Sequence, residues 1–193
     1  MNVFKLLQAQ GGPKFAPKPV LAAKPKKVFK TPAVVYTDGG CNAKLDSIGA
    51  FAWRATMQGF EVKHHVEARM GTTNNRMEMM AVYHALKTLD PVHPVNVFTD
   101  SMYVINGATK WVAGWIEKGW LTFDGNAVKN RVLWEALYEQ LQGRDVHFHH
   151  VKGHSGVEGN EFVDALCTKA IKDAHAWAQA GEAVVYDDFH GVP

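Results

Sequence analysis

Two apolar runs in this 193-residue chain end in aspartate: "AVVYTDGGC" (33–41) carries Asp38 before two glycines, and "VNVFTD" (95–100) ends in Asp100. A carboxylate at the edge of an apolar core is expensive unless something pairs with it, so packing alone gives these acids no reason to be there. Two further acids interrupt helical patterns. Glu78 lies in "TTNNRMEMMAVYHALKTL", where the spacing 78, 82, 85, 89 sets it on the face of Val82, Ala85 and Leu89. Asp164 lies in "GNEFVDALCTKAI", one turn from Cys167 and among apolar neighbours. Any one of these acids could be a helix cap or a surface charge. Four aimed at one place, with no matched arginines, would repel and raise one another's pKa values. Bound cations remove that conflict. An all-oxygen donor set suits Mg²⁺, with Mn²⁺ as a substitute, better than zinc, and a cluster of this size can hold two ions about 3.5–4 Å apart for in-line phosphoryl displacement.

The elements that would position these acids can be read from periodicity. "AVVYTD" reads as a central strand, followed by strand-like "GAFAWRAT" (49–56) and "FEVKHHVEA" (60–68) joined at Gln58-Gly59. Thr72 to Asn75 are natural caps for a helix of some fifteen residues. "VNVFTD" and "VHFHHV" (146–151) are further strands, with helical stretches at 101–118 and 126–142 between them and a last helix at 160–173. This order predicts an α/β fold with a five-stranded mixed sheet flanked by helices, strands 1–3 antiparallel and strands 1, 4 and 5 parallel. Asp38 and Asp100 then stand side by side at the C-terminal ends of parallel strands, the edge at which open α/β sheets bind ligands.

Composition bounds the rest. The length supports one sizeable core, expected over 32–175, with tails at 1–31 and 176–193. Two cysteines, Cys41 and Cys167, with no CxxC pair, suggest neither a disulfide framework nor structural zinc and fit a reducing compartment. No apolar run approaches a membrane span, and no secretory h-region is visible, so a soluble cytoplasmic protein is expected. Residues 1–32 hold seven lysines, five prolines and no acid, leaving 14 basic against 19 acidic residues in the remainder. Such a segment favours an extended or disordered arm, a linker or a nucleic-acid contact. A mitochondrial leader, and so a matrix location, is the alternative, weakened by the absence of arginine.

"YTDGGC", "TTNNRMEMMA", "FTDSMYVINGATKWVAGWIEKGW" and "VKGHSGVEGNEFVDALC" resemble, in order and spacing, the motifs of type 1 ribonucleases H across about residues 33–173. The resemblance implies the ribonuclease H-like fold and cleavage of the RNA strand of RNA–DNA hybrids by a monomer using two Mg²⁺ ions, leaving 5′-phosphate and 3′-hydroxyl ends. It maps the metal ligands onto Asp38, Glu78, Asp100 and Asp164, and the family's mobile-loop histidine onto His154, a proton shuttle near neutral pH. It sets Cys41, Asn42, Thr73, Asn74 and Asn75 against the hybrid's minor groove and backbone, where 2′-hydroxyls distinguish RNA from DNA. Plain helix capping is the competing role for Thr73 and Asn74.

Trp111, Trp115, Lys118 and Trp120 fall in the segment resembling the family's handle, which meets the DNA strand. The i,i+4 spacing of Trp111 and Trp115 equally fits packing within the handle. Here the sequence departs from the family: Ile116, Glu117 and Lys118 stand where well-known members carry a lysine pair. Residues 107–130 have only Lys110, Lys118 and Lys129 against Glu117 and Asp124, which leaves the lysine-rich tail as the substitute source of positive charge. Two other functions fit parts of the pattern. One is a noncatalytic hybrid- or RNA-binding module, against which the intact acids argue; the other is a DNA-cutting relative such as a resolvase or integrase, against which "TTNNRME" and "KGHSG" argue.

Overall fold

The computed structural model describes residues 31–45 and 47–187; the lysine-rich segment 1–30, with its expected nucleic-acid contact, lies outside the described residues, as do 188–193. Five strands, β1 (Ala33–Asn42), β2 (Ile48–Met57), β3 (Phe60–Arg69), β4 (Val95–Thr99) and β5 (Val146–His150), form one sheet in the order β3-β2-β1-β4-β5. β1, β2 and β3 pair antiparallel, while β4 runs parallel to both β1 and β5, the mixed sheet expected from the order of apolar runs. Gln58 and Gly59 close the β2–β3 hairpin with φ of 53° and 82°, the left-handed pair that a tight two-residue hairpin turn requires.

Both faces of the sheet are covered, which explains why β1 and β2 read as nearly continuous apolar runs. On one face α1 (Asn74–Thr88) and α4 (Arg131–Leu141) pack Met77, Met80, Leu86, Leu133, Trp134 and Leu137 against Val35, Phe51, Trp53 and Val97. On the other, α5 (Glu158–Gln179) packs Val163 and Cys167 against Ala50 and Ala52. No helix among the described residues is long and apolar enough to cross a membrane.

The helical stretch expected at 101–118 is broken into α2 (Met102–Asn106), a π-helical segment (Gly107–Trp111) and α3 (Val112–Glu117). The stretch expected from 126 begins only at Arg131, because Asn130 takes φ 58° and the preceding residues form a turn closed by a Leu121–Ala127 bridge. At the C-terminal end α5 runs to Gln179, past the helix end expected at 173, before the chain turns and continues without regular structure. Ala174 is buried in a run of helix-favouring residues, and 185–187 return to the edge of β3.

Candidate active site

Asp38 sits within β1, opposite Ala52 of β2. The glycine after it is a packing requirement: a Cβ on Gly39 would fall 2.2 Å from the carbonyl carbon of Met77 and 2.3 Å from the amide nitrogen of Glu78. Only a bare backbone lets α1 cross β1 this closely. The crossing brings Glu78 to the cleft beside Asp38, with Val82 and Ala85 buried on its own helix face as the spacing predicted. Glu78 accepts a hydrogen bond from the Ser101 hydroxyl, which in turn accepts from the Val104 amide at 3.2 Å and caps α2.

Asp100 follows directly on β4. The chain leaving β5 runs beside it, with the Val151 amide donating to Thr99 O at 3.0 Å, and a Cβ on Gly153 would meet Asp100 Oδ2 at 2.8 Å. The next residue, His154, has φ 52° and an 81% exposed side chain whose Nδ1 lies 3.4 Å from Asp164 Oδ2 on α5. Glu161, one turn before Asp164, accepts from the Gly156 amide at 3.0 Å and so ties down the loop that carries His154. Ligand atoms of His154, Glu161 and Asp164 lie within 4.8 Å of one another. Glu161 was not among the residues expected at the site; its one signal in the sequence is its place one turn before Asp164 in "GNEFVD".

Asp38, Glu78, Asp100, His154 and Asp164 line one cleft of about 230 Å³ with Gly39, Gly40, Asn74, Gly153 and Asn160. Among the described residues, no lysine or arginine lines it. Burial, reinforced by the charges of Asp100 and Asp164, pushes the Asp38 carboxyl up to about 6 against donors from Cys167 and Gly39. Burial also raises Glu78; the Ser101 hydrogen bond opposes that rise, and Asp100 and Asp38 add to it. Asn160 Oδ1 is buried without a hydrogen-bond partner among the described residues. Oxygen donors, mutual repulsion and an orphaned acceptor at one cleft are what a divalent cation with its waters would satisfy, so the residues present fit the metal that the fold family implies.

The residues expected to meet substrate divide into two groups. Asn74 lines the cleft itself, and Cys41 and Asn42 line an adjoining groove that shares Gly40 and Asn74 with it. The Cys41 amide donates to Asn74 Oδ1 at 2.6 Å, and Thr73 caps α1 by accepting from the Arg76 amide at 3.4 Å. Asn75 is exposed in the first turn. The handle residues line neither depression. Trp111 is 38% exposed and Lys118 is exposed, but Trp115 packs between Trp111, Trp120 and Trp134. Trp120 is only 9% exposed and sits under the Arg131 guanidinium, so its place is in the handle's core rather than on its surface.

A family model described as RNase H matches residues 30–172. The chain is 42% identical over 148 residues to a ribonuclease H from Ralstonia nicotianae, covering 76% of this chain and 96% of that protein. It is 43% identical over 143 residues to one from Paramagnetospirillum magneticum, covering 74% and 91%. Among solved structures, LC9-RNase H1, described as a type 1 RNase H with the type 2 active-site motif, aligns with a TM-score of 0.66 at 26% identity over 76% of this chain and 74% of that one. A foamy viral protease-reverse transcriptase in complex with RNA/DNA hybrid shares the fold, with a TM-score of 0.62 at 22% identity over 83% of this chain and 23% of that one. With its acids gathered on the sheet edge that this fold reserves for ligands, the chain belongs to the ribonuclease H family, enzymes that hydrolyse nucleic acid.

Proposed function

We propose that this enzyme cuts internally in the RNA strand of RNA–DNA hybrids, using two Mg²⁺ ions and leaving 5′-phosphate and 3′-hydroxyl ends. The observation that carries the reading is the convergence of Asp38, Glu78, Asp100 and Asp164, from four different parts of the fold, on a cleft that no lysine or arginine among the described residues lines. When bound, the ions would polarise the phosphodiester and supply a water able to attack it in line. Asp38 and Asp100 would hold both ions, Asp164 would complete one site, and Glu78, oriented by Ser101, would direct the attacking water.

His154 lines the cleft together with Gly153, and its imidazole would return a proton to the departing oxygen. Asn74, with Cys41, Asn42, Thr73 and Asn75 around it, offers amide and hydroxyl groups to the hybrid's minor groove and its 2′-hydroxyls. Trp111 and Lys118, the exposed handle residues of that set, would meet the DNA strand, with Trp115 packed against both Trp111 and Trp120 behind that surface. The bacterial relatives support a cytoplasmic location.

Product chemistry tests the reaction type. Fragments from a labelled hybrid should prime a polymerase without prior phosphatase treatment. Fragments ending in a 2′,3′-cyclic phosphate would contradict a metal-directed water attack.

A further inference from the structure

The C-terminal segment closes onto the molecule beside the groove. The Met70 amide donates to Val185 O at 2.9 Å and the Asp187 amide donates to Met70 O at 3.0 Å, so Tyr186 bridges to Met70 and prolongs the β3 edge. The Asp187 side chain is completely buried. One oxygen accepts from Arg76 Nε at 2.8 Å and Thr72 Oγ1 at 2.7 Å; the other accepts from Arg76 Nη2 at 3.0 Å. A buried arginine–carboxylate fork adds little net stability over an apolar pair of the same volume. What it supplies is fixed geometry, through charge-assisted bonds in one plane.

The geometry it fixes is that of the groove. Thr72 and Arg76 bracket Thr73, Asn74 and Asn75, and nothing else intervenes in the chain. Thr72 O also accepts from Cys41 Sγ at 3.4 Å, and Asn74 Oδ1 accepts from the Cys41 amide, so the bracketed turn is tied to the end of β1. We propose that Asp187 is a positioning residue for the nucleic acid: by clamping Thr72 and Arg76 it holds the Thr73–Asn75 turn in the conformation that meets the hybrid. The proposal rests on the hybrid-cleaving reading above. Asp187 acts through the turn, and its effect falls on affinity.

The test uses the full chain carrying Asp187→Asn, which breaks the charged fork while keeping the side-chain volume, and Arg76→Lys, which keeps the charge and loses the fork. Hybrid Kd is measured by anisotropy with Ca²⁺ in place of Mg²⁺, KM and kcat with Mg²⁺, and folding by circular dichroism. Each variant should raise Kd and KM about tenfold, the worth of one or two misplaced hydrogen bonds, with kcat changed less than about twofold. The double variant should be no worse than the poorer single one. Should Asp187→Asn fail to fold, Arg76→Lys alone carries the comparison. Unchanged Kd and KM in folded variants would overturn the proposal and leave a purely structural strap, as would a fall in kcat alone. A wild-type enzyme that binds no hybrid would instead overturn the hybrid reading, and the positioning role with it.

Discussion

The Ser101 hydroxyl donates to Glu78 and accepts from the Val104 amide, so one side chain both orients a carboxylate on α1 and caps α2, the helix that follows Asp100. Ser101→Ala should therefore have two separable effects. Loss of the cap should destabilise the protein by about 1 kcal/mol, read as a lower Tm. Loss of the donor removes the group that holds Glu78 down against burial, so the acidic limb of the kcat/KM profile should move to higher pH. A profile superimposable on wild type would mean that Glu78 does not titrate in the reaction.

Asp38→Asn should abolish cleavage and stabilise the metal-free protein, with a sign that depends on pH. The folded Asp38 carboxyl is raised to about 6 from 3.8, so its contribution to stability is present below the unfolded value and is lost as pH rises through the folded one. Above about pH 6 the ionised group is a penalty on the order of 3 kcal/mol, which asparagine removes. Thermal melts in chelator should show Asp38→Asn more stable than wild type at pH 8, by several degrees, and equal to it near pH 3.5. A lower Tm at pH 8 would show that Asp38 is not strained by its neighbours.

For the loop that lines the cleft, His154→Ala should slow turnover by about 10²-fold or more without eliminating it, since other groups can carry the proton less efficiently. Glu161→Ala should act on the same step more weakly. It removes the acceptor for Gly156 and so loosens His154, worth about 0.5–1.5 kcal/mol or a few-fold in kcat. In a His154→Ala background the Glu161 effect should vanish. Multiplicative effects of the two substitutions would separate Glu161 from the histidine loop.

What the sequence made legible follows from the range of the interactions involved. Asp100 and Glu78 were readable because strand ends and helix faces are local patterns; Asp38, expected at a strand end, stands within β1, which continues beside β2 to Asn42, yet the structure brings all three to one cleft with Asp164 and His154. Gly39 was readable as a peculiarity, but its reason, the Met77–Glu78 backbone 2.2–2.3 Å from where a Cβ would stand, belongs to a contact across the chain. Asp187 was invisible for the same reason: its partner Thr72 is 115 residues away. Glu161 looks like an ordinary acid in the first turn of a helix until the loop folds back and gives it the Gly156 amide. The break at Gly107–Trp111 carries no proline or polar cluster to announce it, and Trp120 has the same residue type whether it is a surface contact or a core plug.

The lysine-rich N-terminal segment gives a prediction in salt. Residues 1–32 carry seven lysines while the remainder has 14 basic and 19 acidic residues, so sequence-independent attraction to phosphate should reside mainly in that segment. If about four of its lysines contact phosphates, deleting residues 1–31 should flatten the slope of log affinity against log salt by roughly 3. Between 50 and 200 mM salt the intact protein should then lose roughly 60-fold more affinity than the shortened one. Parallel slopes would assign the segment to something other than nucleic acid.

The most direct test of the central claim is cleavage by the intact chain of four labelled duplexes of one sequence, RNA–DNA hybrid, RNA–RNA, DNA–DNA and DNA carrying a single ribonucleotide, each with Mg²⁺ and with chelator. Mg²⁺-dependent cuts are expected in the RNA strand of the hybrid alone, at several internal positions, and none by Asp38→Asn. Cleavage of the DNA strand or of double-stranded RNA at a comparable rate, or cleavage of the hybrid that persists in chelator, would contradict it.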